Sequence, residues 1–183
     1  MVSPTGSGKT HTKTAIAKQA NVVTCNIAHR QELVLQISCS LARFGLYHNV
    51  IAPVGVVRFC AQRHSKLYGR SFINQDADAA VGSVQTFLRR QERLATFINR
   101  TRLWDIDEGH HALPDNQWGK CVNMFKNAYG LGVTATPLRA DRKGLDGVYN
   151  TMVVGPTMRD LIDQGHLSEY QIYCPQESID LAS

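Results

Sequence analysis

Apolar and polar positions along the chain form two alternating patterns, short β-branched runs and longer stretches with apolar residues at helical spacing. The short runs predict buried strands, and the helical spacing predicts helices that pack on them. Strands are predicted over residues 22–28, 49–57, 79–83, 103–107 and 128–134. Helices are predicted over residues 9–20, 30–44, 57–67, 84–99 and 116–126. The repeated strand–helix order predicts an α/β fold with a mainly parallel sheet and helices on both faces.

The segment before the first predicted helix reads PTGSGKT, from Pro4 to Thr10. Two glycines, a lysine and a hydroxyl at these spacings are typical of a phosphate-binding loop, whose backbone N–H groups enclose nucleotide phosphates. Lys9 would reach the β and γ phosphates, and the Thr10 hydroxyl would complete the coordination of Mg²⁺. The alternative is a Gly/Ser turn that precedes a lysine by chance. The full pattern favours a nucleoside triphosphate site, formed by Thr5, Gly6, Ser7, Gly8, Lys9, Thr10 and His11.

Only Met1, Val2 and Ser3 precede this loop, at the place where a phosphate-binding fold has a buried strand. Three residues can supply the last rung of that strand but not a whole strand. We therefore expect either a chain cut from a longer protein or one with a shortened first strand.

A pair of carboxylates, Asp107 and Glu108, ends the predicted strand 103–107 and is followed by Gly109 and His110. Ligands of an open parallel sheet bind beyond the carboxyl ends of its strands, so these carboxylates belong on the nucleotide side. Asp107 suits a contact to Mg²⁺, and Glu108 suits the polarisation of an attacking water. Alone, such a pair is common at strand ends and carries no function. Together with the phosphate loop it predicts a site for nucleotide hydrolysis.

Strand alternation places Asp105 on the same face as Asp107, where a carboxylate would enter a buried layer. A buried carboxylate needs a partner, and Arg102 or His111 could neutralise it. Neither partner is fixed by the sequence, so the role of Asp105 stays open.

Composition narrows the class of protein further. An apolar fraction of 43% and a charged fraction of 19% are ordinary for a soluble domain, and no apolar run approaches the ~20 residues of a membrane span.

The cysteines are scattered without a C-x-x-C pair, which predicts reduced, mostly buried thiols in a cytosolic setting and no zinc site or disulfide. His64 lies four residues after Cys60, and we expect both to be surface or packing residues. The cysteines are Cys25, Cys39, Cys60, Cys121 and Cys174.

The net charge of +5 makes an anionic partner plausible. Much of it comes from one stretch in which a single acidic residue, Glu92, accompanies five arginines. A solvated helix face and a nucleic-acid surface explain such a run equally well. The arginines are Arg89, Arg90, Arg93, Arg100 and Arg102.

The motif DEGH at residues 107–110 resembles the DEAH-type Walker B motif of superfamily 2 helicases and translocases. AHRQEL at 28–33 with Gln36 resembles motif Ia of that family, and SVQT at 83–86 resembles the motif after the third strand. VTATP at 133–137, with Arg139 and Asp141, resembles motif III and its extension. Residues 154–156, 161–162, 165–167 and Tyr170 resemble the end of the first RecA-like domain in the branch of type III restriction subunits and nucleotide-excision-repair helicases. Five motifs in order cover nearly the whole chain.

The resemblance implies that residues 1–183 form one RecA-like, ATP-binding first motor domain, with 155–183 leading toward a second such domain in cis or in trans. ATP and Mg²⁺ are the implied cofactors, and Lys9, Asp107, Glu108 and His110 the catalytic residues. His110 would relay the nucleotide state to motif III, where Thr134 and Thr136 would couple it to a nucleic-acid track. Sequence-independent contacts to backbone phosphates are implied for Arg30, Gln85 and Thr86.

The implied partner is nucleic acid, with DNA favoured over RNA, and no membrane is implied. The implied location is the cytoplasm, in a bacterial or phage context. Gly109 replaces the usual alanine of DEAH, and we expect this change to have little effect. Two functions of different class remain open. One is the first domain of an ATP-dependent helicase or translocase, and the alternative is a non-motor ATP-binding or interaction module without helicase activity of its own.

Overall fold

All five strands run parallel in one sheet, with spatial order β2-β3-β1-β4-β5. The computed structural model describes residues 1–28, 30–136, 145, 148–171 and 173. The strands are β1 (Thr24–Ala28), β2 (Asn49–Ile51), β3 (Ala79–Ser83), β4 (Leu103–Asp107) and β5 (Tyr129–Val133). The α-helices are α1 (Lys9–Ala20), α2 (Gln31–Arg43), α3 (Val54–Tyr68), α4 (Val84–Arg89), α5 (Ala95–Arg100), α6 (Gln117–Val122) and α7 (Met158–Asp163). A 3₁₀ helix covers Gly109–His111.

Two hydrophobic clusters cover the two faces of the sheet. Ile27 and Ile106 pack in one cluster with residues of α4, α5 and α6, whereas Ala28 and Val81 pack in the other with residues of α2 and α3. Strands buried on both faces are typical of a parallel sheet with helices on each side. The predicted fold class is confirmed.

The first residues extend the sheet beyond β5. Ser3 N–H donates to Thr134 O at 3.0 Å, and Val2 N–H donates to Val153 O at 2.8 Å, so this short segment lies between the end of β5 and residues 153–155. The expectation that residues 1–3 supply the last rung of a strand is confirmed. This rung directs the chain into the phosphate loop at the carboxyl end of the sheet.

Two predicted elements were wrong in extent. The strand predicted over 49–57 ends at Ile51, and α3 begins at Val54, because Pro53 has no N–H for a strand ladder and its carbonyl accepts from Val56 N–H at 2.9 Å. The helix predicted over 84–99 is two short helices. Phe87 and Ile98 pack into the same cluster, whereas a straight helix would separate them by ~16 Å.

The smaller differences concern helix ends. The helix predicted over 116–126 covers only Gln117–Val122, where Asn116 caps it by accepting from the N–H groups of Trp118 and Gly119. Helix α7 was not predicted, although Thr157 and Asp160 form a capping box at its start.

The four described cysteines are free, and three of them are buried, as predicted, while Cys174 lies outside the described residues. No helix in the described part of the chain is long and apolar enough to span a membrane.

A buried chain of hydrogen bonds joins α2, α3 and the start of β2. Phe72 N–H donates to His64 Nδ1 at 3.4 Å, so the ring proton of His64 lies on Nε2 and is donated to Ser38 Oγ at 3.1 Å. The Ser38 hydroxyl donates to His48 Nε2 at 2.7 Å, and His48 Nδ1–H donates to Leu46 O at 2.9 Å. Each N–H and O–H group in this chain of bonds thus has one acceptor while both histidine rings are neutral. His64 is therefore a packing residue, one of the two outcomes expected for it.

Candidate functional site

The phosphate loop has the backbone of an anion-binding turn. Gly6 and Gly8 have φ values of 82° and 81°, in the left-handed region that glycine adopts without strain, and α1 begins directly after Gly8. Ser7 N–H donates to Pro4 O at 3.2 Å and closes the turn. Free N–H groups of the loop and of the first turn of a 12-residue helix therefore lie together at the positive end of its dipole.

Two side chains of the loop make few bonds within the chain. Lys9 Nζ donates to Ser3 O at 3.0 Å and to Pro4 O at 2.9 Å, and it meets no carboxylate in the described part of the chain. Ser7 Oγ is buried and has no hydrogen-bond partner among the described residues. An unpartnered hydroxyl and an ammonium held only by carbonyls fit a loop built around an anionic ligand.

A cavity of about 630 Å³ opens over the loop and reaches the end of β4. Its lining brings the loop residues and His11 together with Asp107 and Glu108, as the sequence predicts. Hydroxyl and carboxylate oxygens, here from Thr10 and Asp107, are the ligands that Mg²⁺ prefers. The described residues contain no group of three or more His, Cys, Asp or Glu side chains that could hold a metal ion. The residues present therefore fit a Mg²⁺ held by one or two protein oxygens and by phosphates, and not a cation held by protein alone.

The opposite wall of this cavity was not predicted from the sequence. It comes mainly from one face of α2, through Gln36, Ser40 and Arg43, and from Tyr68 at the end of α3. Arg43 Nη1 lies 3.0 Å from Nε2 of His11, so α1 and α2 meet at the rim. The spacing of Gln36, Ser40 and Arg43 along one helix face is visible in the sequence, but nothing there shows that this face turns toward α1.

Glu108 has an unusual backbone conformation. Its φ of 54° and ψ of 47° lie in the left-handed region, which glutamate rarely adopts, and its N–H donates to Asp107 Oδ1 at 3.2 Å. Strain of this kind costs ~1–3 kcal/mol and persists where the surroundings hold it. The left-handed turn directs the chain from β4 into the 3₁₀ helix while the Glu108 side chain stays partly exposed at the cavity.

His110 contacts motif III directly. Its Nδ1 lies 2.8 Å from Thr134 Oγ1 and 3.4 Å from Glu108 Oε2. Thr134 Oγ1 donates to Thr136 O at 2.9 Å, so the proton between Thr134 and His110 belongs to Nδ1 of the ring. Burial, together with neighbouring His111, lowers the pKa of His110, and Glu108 acts in the opposite direction. The three residues predicted for relay and coupling, His110, Thr134 and Thr136, thus form one hydrogen-bonded group, and Glu108 lies next to it at 3.4 Å from His110.

Gly109 is more constrained than the sequence suggested. A Cβ atom at this position would lie 2.8 Å from Gly132 Cα and 2.8 Å from the Tyr149 hydroxyl oxygen. The Tyr149 hydroxyl donates to Gly109 O at 3.2 Å, and burial raises the pKa of Tyr149, so the donor stays protonated. The effect of glycine in place of alanine stays a prediction; the structure adds that tyrosine and the backbone of β5 occupy the space of the methyl group.

Asp105 has a partner that the sequence did not indicate. Its Oδ1 lies 2.8 Å from Lys13 Nζ, and neither Arg102 nor His111 makes this contact. Burial raises the pKa of the Asp105 carboxyl, and the ammonium of Lys13 opposes that shift. The prediction of Arg102 or His111 is wrong because both flank β4, whereas the face of β4 with Asp105 lies under α1. The one available signal was that Lys13 follows Lys9 by one helical turn.

The residues predicted to contact nucleic acid are partly brought together. Gln85 and Thr86 line a cavity of about 290 Å³ that also includes Gln31, Arg89 and Arg90. Arg30 is exposed at the start of α2 beside Gln31 but does not line this cavity. The Thr86 hydroxyl lies 2.8 Å from Ser83 Oγ, within the N-terminal cap of α4. His29 of motif Ia and Pro137, Arg139 and Asp141 of the motif III extension lie outside the described residues.

Comparison with known proteins finds related sequences and the same fold. A family model described as type III restriction enzyme, res subunit, matches residues 1–139. A 51.5 kDa protein of a Lactococcus phage (isolate 7-9) is 29% identical over 185 residues, which cover 98% of this chain and 33% of the phage protein. The chain therefore spans about a third of the length of that relative.

Solved structures agree with this match. The Pyrococcus furiosus Hef helicase domain is 25% identical with a TM-score of 0.55, over 76% of this chain and 30% of that chain. Two others are similar in fold alone. A nuclease-deletion mutant of the type ISP restriction-modification enzyme LlaGI, in complex with a DNA substrate mimic, is 15% identical with a TM-score of 0.58, over 91% and 18% of the two chains. The UvsW helicase from bacteriophage T4 is 16% identical with a TM-score of 0.53, over 74% and 46%.

Proposed function

Because this chain belongs to the family of the type III restriction enzyme res subunit, with a superfamily 2 helicase-like fold, we propose that it is the ATP-binding first motor domain of a nucleic-acid-dependent ATPase, a helicase or translocase. The observation that carries the proposal is the cavity that joins the phosphate loop to Asp107 and Glu108. Anion-binding backbone, a lysine and two carboxylates around one opening are the parts that phosphoryl transfer requires.

Each part has a role that follows from its chemistry. The loop N–H groups and Lys9 bind the phosphates, while Thr10 and Asp107 would hold Mg²⁺, which neutralises charge on the β and γ oxygens when bound. The carboxylate of Glu108 accepts a hydrogen bond from the attacking water and orients it. His110 connects Glu108 to Thr134 through the contacts described above, so a change at the phosphates can reach motif III.

A nucleic-acid track is proposed at the ends of β1 and β3. Gln85 and Thr86 share a cavity with Gln31, Arg89 and Arg90, and Arg30 directly precedes Gln31 at the start of α2. Positive side chains and exposed amides suit backbone phosphates, which are contacted without regard to sequence. The complex of LlaGI with a DNA substrate mimic favours DNA for this fold. Since the chain spans about a third of its phage relative, a second RecA-like domain, in cis or in trans, is part of the proposal.

Nucleotide binding is tested by titration with a fluorescent ATP analogue. Lys9→Ala should remove most of the affinity, because Lys9 is the cation of the phosphate loop, and Asp107→Asn should weaken binding with Mg²⁺ more than binding without metal. Lys18→Ala is the matched control, since Lys18 lies on the same helix, is exposed and donates only to Phe44 O. Equal affinity in the Lys9 and Lys18 variants would show that the loop does not bind nucleotide.

A measurement of ATP turnover distinguishes a motor domain from the non-motor alternative. We expect this chain alone to hydrolyse ATP at a basal rate with little stimulation by nucleic acid, because an arginine finger from a second domain contributes ~10³–10⁵ in rate. Adding a second RecA-like domain should raise turnover, and Glu108→Gln should abolish the gain while leaving ATP binding intact. A two-domain protein that binds ATP and is not stimulated by nucleic acid would support the non-motor module.

A further inference from the structure

Lys13 and Asp105 form an ion pair inside the domain. Lys13 Nζ lies 2.8 Å from Asp105 Oδ1, and the two side chains are 0% and 2% exposed. Removing two charges from water is costly, and apolar residues of similar volume often give equal or greater stability. Packing alone therefore does not require this pair at the interface of α1 and β4.

The position of the pair within its two elements is specific. Lys13 follows Lys9 and Thr10 by about one turn of α1, and Thr14 Oγ1 donates to Thr10 O at 2.8 Å, which keeps that turn regular. Asp105 precedes Asp107 by two residues, so both project from the same face of β4. The pair thus joins the helix that carries Thr10 to the strand that carries Asp107.

Asp105 is also well fixed on the strand side. It pairs in register with Asn26 of β1 and with Leu131 of β5, so β4 is held from both sides at this level. Helix α1 has no backbone pairing to the sheet, and apolar contacts are non-directional and allow a helix to slide or rotate. The two paired atoms have no hydrogen-bond partner among the described residues, so each buried charge depends on the other at 2.8 Å, and this ties one point of α1 to β4.

We propose that Lys13 and Asp105 are a positioning pair, which sets α1 against β4 so that the Thr10 hydroxyl and the Asp107 carboxylate reach the same cation. The inference rests on the proposed nucleotide site and adds to it two residues that do not touch the ligand. Supporting groups of this kind commonly change metal affinity by ~10–100-fold when they are altered.

The test replaces the pair with apolar side chains of similar size, in Lys13→Met/Asp105→Leu. We expect the free energy of unfolding to stay near that of the wild type and the affinity for a fluorescent ATP analogue in EDTA to be unchanged. The gain in affinity on adding Mg²⁺ should fall by ~10–100-fold. Thr101→Val is the matched control, because Thr101 is equally buried but its hydroxyl donates to Phe97 O at 2.9 Å, at the opposite end of β4 from Asp107.

The possible outcomes distinguish a failure of the positioning role from a failure of the proposed nucleotide site. A double variant with the wild-type Mg²⁺ gain would overturn the positioning role, and so would an equal loss in Thr101→Val. If the double variant does not fold, Lys13→Met/Asp105→Asn keeps the shape of the carboxyl group without leaving a buried charge; it should also lose Mg²⁺ gain, and an unchanged gain would overturn the role. A wild-type chain that fails to bind ATP would instead contradict the proposed function.

Discussion

At the scale of single residues, the turn after β4 leaves no room for a methyl group. Gly109 lies against Gly132 and Tyr149, and a Cβ atom at Gly132 would come still closer to the Tyr149 hydroxyl than one at Gly109. The Tyr149 ring also packs against Trp104, with 6.3 Å between ring centroids. The aromatic side chain thus fills the space that side chains at two glycine positions would need, and it supports the turn that presents Glu108.

We predict that Gly109→Ala lowers the free energy of unfolding by ~1–3 kcal/mol, because a methyl group has to be inserted into filled space. Urea unfolding measures the change. Tyr149→Phe in the same chain should relieve part of it by removing the hydroxyl. Gly55→Ala is the control, since Gly55 lies in α3, where an added Cβ atom would meet nothing within 4 Å, and this change should be neutral or stabilising. Equal effects of the two alanines would contradict the steric explanation.

Sequence reasoning reached the residues that line the candidate nucleotide cavity more fully than those that support them. The phosphate loop and the DEGH carboxylates could be predicted because their chemistry depends on short-range spacing along the chain. Lys13, Tyr149 and the wall from α2 could not, because each acts through a contact to a distant segment. Asp105 was predicted only in part, since strand alternation predicted its burial correctly and could not predict its partner.

At the scale of elements, local patterns were again predicted better than contacts to distant segments. The predicted bounds of α1, β3 and β4 agree with the structure, because the phosphate loop marks the start of α1 and short apolar runs mark the two strands. Residues 54–57 (VGVV) favour a strand by local propensity, yet they form the first turn of α3 after Pro53. The break between α4 and α5 follows from burial of Phe87 and Ile98 in one cluster, which no local pattern contains.

The buried histidine chain predicts how α2, α3 and β2 respond to acid. Burial is the largest cause that lowers the pKa of His48 from 6.5 to about 4, and burial also lowers the pKa of His64. Protons therefore bind the unfolded chain more tightly. The stability that this chain of bonds contributes is complete above the ordinary histidine pKa and is lost as pH falls from about 6.5 toward 4.

We expect His48 alone to account for a loss of roughly 3 kcal/mol across that interval, since one pKa unit corresponds to ~1.4 kcal/mol. Denaturant unfolding at several pH values measures this loss. His48→Gln should be less stable at neutral pH and should show a flatter pH dependence, whereas His166→Gln, at an exposed position, should keep the wild-type slope. A His48→Gln profile parallel to the wild type would contradict the assignment.

At the scale of the whole molecule, positive charge continues past the proposed track. Arg90 lines the cavity with Gln85 and also a neighbouring one of about 620 Å³ beside the edge strand β2, together with Arg58 and Arg93. In the described part of the chain, Arg58, Arg89, Arg90 and Arg93 form no ion pair. These arginines form a basic corner of the sheet, where Asp76 is the one carboxylate among the described residues that line the second cavity, and the proposed track would lie along it.

We predict weak, sequence-independent binding of single strands with a shallow salt dependence, because two to four phosphate contacts at ~0.7 each give a slope of roughly −1.4 to −2.8. Fluorescence anisotropy at several salt concentrations measures the slope. Arg89→Gln/Arg93→Gln should reduce its magnitude by ~1.4. Arg159→Gln should not change it, since Arg159 already pairs with Asp163 at 2.8 Å. Binding that ignores salt or depends on base sequence would contradict the track.

The hydrogen bonds that Lys9 makes within the loop affect which anions would bind there. Its ammonium already holds the carbonyl oxygens of Ser3 and Pro4, so an incoming phosphate has to compete with them. The net gain is the difference between two sets of hydrogen bonds, and a small anion that offers one contact gains little from this exchange. A triphosphate can displace the carbonyls and engage the loop N–H groups in the same event. If the loop binds phosphates as proposed, this competition would set a minimum ligand charge, and polyphosphates would bind in preference to single anions.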